Sequence, residues 1–142
     1  MPSPASVSIT LPYSLARVPY SRRARGPVEY ISLLKNSQLR ALGGRMYALA
    51  QAKAQVKRDV ALLMTAEGWG AMRLPLRMNA TIYCRTAHRR DDDGGIAALV
   101  PARDEMARVM GIDDADITVG TVRLPKGEPE RTEITMEEAH RG

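Results

Sequence analysis

Aspartates gather at two places in this chain: Asp91-Asp92-Asp93, introduced by Arg89-Arg90 and followed by Gly94, and Asp113-Asp114. Crowded carboxylates repel one another unless a positive charge lies among them, and a hard divalent cation with oxygen ligands is the usual remedy. In an extended segment, side chains two apart share a side, so Asp91 and Asp93 can face one ion while Asp92 points away. A loop at Asp113-Asp114 can bring a further carboxylate to that pair. Three such donors, with water completing the shell, suit Mg2+ or Mn2+, a Lewis acid for phosphoryl oxygen that also makes water a nucleophile at neutral pH. The same residues have a plainer use, since Asp caps helix N-termini and favours turns.

The elements that must position these aspartates are legible from periodicity. Val7 to Leu11 alternates apolar and polar residues, which predicts a strand ended by Pro12. Residues 12–44 carry early Pro and Gly interruptions and the basic cluster Arg22, Arg23 and Arg25, a pattern that predicts a long basic loop with a helical turn near Ile31–Lys35. From Arg45 to Ala66 there is no Gly or Pro, and Met46, Leu49, Val56, Val60 and Leu63 recur at helical spacing. Lys53, Lys57 and Arg58 read as a solvated face of that helix, with Lys53 snorkelling from the apolar stripe.

Arg77 to Arg85 alternates again and leads into the acidic loop. A second helix is predicted over Ile96–Met110, either starting near Val100 or kinked at Pro101, and capped by Gly111. Two strand-like runs, 116–124 and 130–137, joined by Pro125-Lys126-Gly127-Glu128-Pro129, predict a C-terminal β-hairpin, and 138–142 reads as a tail. The order β, α, β, α, β, β predicts a small single α/β (α+β) domain spanning 1–142, with a mixed sheet and two main helices.

Composition narrows the function classes. With 142 residues and 44% hydrophobic content, the chain can bury a core of its own. It has no Phe and eight Met, so its core is built mainly of aliphatic side chains. Cys84 is the lone cysteine, which excludes an internal disulfide; with only His88 and His140 to join it, no zinc site assembles. No apolar run is long enough to span a membrane and no leader is apparent, so a cytoplasmic protein is expected. The net charge of +5 is divided unevenly: residues 1–58 carry ten Lys or Arg against Glu29, whereas the remainder is net acidic. A basic front beside an acidic centre suits a polyanion that is attracted broadly and then met by a metal.

The arrangement around residues 88–114 resembles the RusA family of Holliday junction resolvases, endonucleases of bacteria and their prophages. The resemblance rests on the basic run Arg89-Arg90 leading into Asp91-Asp92-Asp93, the helical stretch Ile96–Met110, and Gly111-Ile112-Asp113-Asp114 heading a strand. The opening Ile9-Thr10-Leu11-Pro12-Tyr13-Ser14 is also similar to the family's first strand. The resemblance implies a small α/β homodimer that resolves branched DNA in recombination and repair. It further implies that Asp91, Asp93 and Asp114 are the catalytic, metal-binding carboxylates, joined by Asp113, with Asp104 as an accessory and Mg2+ or Mn2+ as cofactor. Arg22, Arg23, Arg25, Arg89, Arg90 and Arg103 are the expected DNA contacts. Two positions depart from the family pattern: Gly94 stands where the family has Asn, and Val100 where it has a helical Lys, leaving Arg103 as the nearest cation. They define the alternative, a catalytically impaired DNA-binding protein.

Overall fold

The computed structural model describes residues 6–21, 26–34, 44–86 and 92–139. Among these residues, six strands and two long helices follow in the order β1 (Ser6–Leu11), β2 (Val18–Tyr20), β3 (Glu29–Ile31), α1 (Gly44–Glu67), β4 (Leu76–Tyr83), α2 (Asp92–Met110), β5 (Ile117–Arg123) and β6 (Arg131–Glu138). A short 3-10 turn, Asp114–Asp116, leads into β5. The main sheet has the order β1-β6-β4-β5, and only the β4–β5 pair is parallel. The mixed α+β class expected from the element order is therefore the observed one.

Alternation decides which sheet face is covered. Val7, Ile9 and Leu11 of β1, Leu76, Met78, Ala80 and Ile82 of β4, and Thr132, Ile134 and Met136 of β6 are buried, while their neighbours along each strand are exposed or half-buried. Both helices lie across the buried face, α1 over β1 and α2 over β5, and they pack against each other. α1 contributes Ala48, Leu49, Ala52, Val56, Val60 and Met64 to the core. Its i, i+4 repeat is the stripe expected of a helix with one face on a sheet. Leu34, Leu33 and Leu15, beside the small β2–β3 sheet, extend this core past the end of the main sheet.

Both helices end where glycine permits a left-handed residue. Gly68 (φ 74°) donates its N–H to the Met64 carbonyl at 2.8 Å. Gly111 (φ 73°) and Ile112 bond back to Arg108 and Ala107 at 3.2 and 3.0 Å, the paired bonds of a Schellman cap.

Three expectations need correction. Residues 12–44 contain the paired strands β2 and β3, and Ile31 ends a strand where a helical turn is predicted; Lys35 lies outside the described residues. Helix α2 begins at Asp92, so Pro101 sits inside it, and Asp93 occupies a first helical turn where an extended loop is predicted. The last two strands do not form a hairpin, because β4 lies between β5 and β6. The link between them crosses the end of β4, held by Cys84 N–H to the Pro125 carbonyl at 2.9 Å and Gly127 N–H to the Cys84 carbonyl at 3.0 Å. A turn-rich link looks the same in sequence whether it joins neighbours or steps over one strand. Among the described residues, no helix is long and apolar enough to cross a membrane.

Candidate functional site

Helix α2 and the 3-10 turn after it bring carboxylates together. Asp104 stands on α2, half-buried, and Arg103 next to it donates from Nε and Nη2 to the Asp104 Oδ1 at 3.3 and 3.1 Å. Beyond the Gly111 cap the chain folds back and brings the Asp114 carboxyl within hydrogen-bonding reach of Asp104. This hydrogen bond with Asp104, then desolvation, then a hydrogen bond with Asp113, hold the Asp114 carboxyl above the usual carboxylate range, and the Arg103 charge opposes the rise. Asp113 caps the 3-10 turn, accepting the Ala115 N–H at 2.9 Å. One oxygen of Asp113 is thus committed to the backbone, the plainer role open to it from the sequence.

The remaining expected ligands are elsewhere. Asp91, Arg89, Arg90, Arg22, Arg23 and Arg25 lie outside the described residues, and so does the side chain of Asp93. The backbone nevertheless places Asp93 at the opposite end of α2 from Asp114. Positions 93 and 104 are separated along one helix axis by about 16 Å, so one ion cannot be shared by Asp93 and the Asp104–Asp114 pair of the same chain. Within one copy, the described backbone keeps position 93 apart from the Asp113-Asp114 loop, whereas Asp91, the other member of the first cluster, lies outside the described residues. Arg103, expected on DNA, is engaged with Asp104.

Gly94 and Gly95 are both buried in the first turn of α2. A Cβ on Gly95 would lie 2.5 Å from the Val122 Cγ1. Glycine there lets the helix start press directly on β5, a packing role for a stretch that reads as loop in sequence.

Among the described residues, no group of three or more His, Cys, Asp or Glu side chains is arranged to hold a metal ion. The Asp104–Asp114 pair does match what Mg2+ asks of a protein when substrate phosphates and water supply the rest, namely one or two carboxylates.

A groove of about 270 Å3 opens beside this pair, between the two helices. Its lining on α2 is Ala97, Val100, Pro101 and Asp104, one helical face; from α1 come Lys53 and Lys57. The lysines therefore border a cleft that ends in a catalytic candidate, a placement sequence reasoning missed. Their i, i+4 spacing was visible, but only the packing of α1 on α2 shows what they face.

No protein-family model matches the chain, and no curated protein does. Among solved structures it is similar to IspF from Plasmodium falciparum in its CDP complex, with 10% identity, 93% of this chain and 90% of that chain covered, and a TM-score of 0.33. It is also similar to 2C-methyl-D-erythritol 2,4-cyclodiphosphate synthase from Plasmodium vivax, with 9% identity, coverages of 93% and 91%, and a TM-score of 0.29. Likeness this distant carries no argument about what the chain does.

Proposed function

We propose that the chain is a divalent-metal-dependent, structure-selective endonuclease acting on branched DNA, as the RusA resemblance implies, and that it works as a homodimer. The observation that carries the proposal is the nearness of Asp114 to Asp104, which lines a groove bordered by lysines. Mg2+ or Mn2+, when bound, would supply neutralisation of phosphate charge and an activated water. Asp114 and Asp104 would hold it, and Arg103 fixes the Asp104 carboxylate by its paired hydrogen bonds.

Asp91 and Asp93 act from a second copy. A two-fold dimer that sets the Asp93 end of one copy against the Asp114 end of its partner repeats that meeting by symmetry. It yields two identical sites, as paired cuts across a four-way junction require.

The test is cleavage of a synthetic four-way junction by the purified chain with Mg2+ or Mn2+. Paired symmetric nicks are expected, with Asp114→Asn and Asp93→Asn each reducing the rate at least ~100-fold, the scale of one essential group. Mixing the two variants should restore about a quarter of wild-type sites, because heterodimers regain one intact site of two. No cutting by wild type, or cutting that persists in Asp114→Asn, overturns the proposal.

The second reading, a DNA-binding protein impaired in cleavage, is favoured by one observation: Val100 and Pro101 put no cation on the groove face of α2. Strongly salt-dependent binding to the junction without cleavage is its signature.

A further inference from the structure

We propose that the groove between α1 and α2 is a phosphodiester-binding subsite, with Lys53 and Lys57 gripping the backbone of a nucleic-acid strand beside the Asp104–Asp114 pair. The inference rests on the nuclease reading only in the choice of polyanion. Lys53 and Lys57 are one turn apart on α1, so their like charges face the same cleft and repel. No ion pair or hydrogen bond to either is found among the described residues. Lys53 is half-buried and Lys57 exposed, and both line the groove.

Across from them, Ala97, Val100, Pro101 and Asp104 occupy positions i, i+3, i+4 and i+7 of α2, a face with an apolar floor and one carboxylate. A phosphate approaching Asp104 and Asp114 meets repulsion from both. Two ammonium groups on the facing helix, without a partner among the described residues, are what would hold it there. Among the described residues, the lining includes no aromatic ring on which a base could stack and no side-chain amide that could read a base edge. The subsite therefore grips phosphate without regard to base, and shape rather than sequence selects the substrate.

The experiment measures binding of a labelled duplex and a labelled four-way junction to the full chain in EDTA, where metal-dependent cutting is silent, over a range of KCl concentrations. Lys53→Ala/Lys57→Ala should reduce the slope of log K against log salt by about 1.8, or ~0.9 for each phosphate no longer neutralised. Lys53→Arg/Lys57→Arg should keep the slope. Arg58→Ala, one residue on, exposed and bonded to Gln55 at 2.9 Å, should also keep it. Circular dichroism of the double variant establishes folding, and Lys53→Gln/Lys57→Gln provides a second charge-free pair. Unchanged slopes in both charge-free pairs, or a fall no larger than that of Arg58→Ala, overturn the proposal. So does orthophosphate at matched ionic strength displacing the DNA, which would mark a free-phosphate site. If wild type never cuts yet the lysine pair controls the slope, the subsite stands and the nuclease reading falls. If wild type cuts while the double variant keeps an unaltered slope, the nuclease reading stands and the subsite falls.

Discussion

Replacing Gly95 by alanine sets a methyl group against the sheet where α2 begins. The new Cβ would stand 2.5 Å from Val122 Cγ1, 3.3 Å from Val122 Cβ and 3.7 Å from Leu124 Cδ1. Comfortable carbon–carbon contact needs roughly 3.5–4.0 Å, so the first turn must lift by about 1 Å or Val122 must leave its rotamer. Val122 is buried and β-branched, with little freedom to move. Overpacking of this kind costs about 1–3 kcal/mol, while exchanging Gly for Ala in a helix returns at most about 1 kcal/mol. A net destabilisation of up to about 2 kcal/mol follows. Urea unfolding measures it as a lower midpoint at constant slope. Val122→Ala in the same chain should relieve the clash, giving a coupling of about 1 kcal/mol in a double-mutant cycle. Gly70→Ala is the control, since a Cβ there meets nothing within 4 Å and its φ is not positive. If the cycle shows no coupling, the close approach of α2 to β5 is refuted. With it goes the reason for placing the Asp93 turn firmly on the sheet.

Two further outcomes are expected. Thr132 is fully buried, its hydroxyl accepting the Leu15 N–H at 3.0 Å and donating to the Tyr13 carbonyl at 3.0 Å. Thr132→Val keeps the shape but strands both backbone groups at about 1–3 kcal/mol each, so thermal unfolding at an unchanged melting temperature would contradict this account. For Asp114 the pKa is raised in the fold, so its contribution to stability is complete below the unfolded carboxylate pKa and is lost as pH rises through the folded one. In EDTA, melting temperature should fall as pH rises out of the acid range toward neutrality. Asp114→Asn should flatten that fall and be the more stable protein at neutral pH, and parallel curves for the two would count against the Asp104–Asp114 contact.

The helical period of residues 45–66, the alternation of 7–11 and 77–85, and the two capping glycines were legible because each depends on local chemistry: one face to bury, or a left-handed residue to end a helix. The same local rules misread residues 92–101. Two glycines and a proline discourage a helix in isolation, yet α2 runs through all three, because packing against β5 rewards a side chain that is absent at Gly95. The crossing of the 124–130 link over β4 was illegible for a related reason. Its pairing partner is Cys84, just past the end of β4 and before the whole of α2, and nothing in the link itself names it.

The sequence by itself pointed to Asp91 and Asp93 before a helix and Asp114 in its acidic pair as residues that could do chemistry, and it read Lys53 and Lys57 as a solvated face. Tertiary structure alone decided their company. Side-chain type and spacing specify what a residue can bind, but proximity between elements depends on how helices cross and which strand lies between which. That packing separated Asp93 from Asp114 by the length of α2, joined Asp114 to Asp104, and turned Lys53 and Lys57 from a solvated face into one wall of a groove.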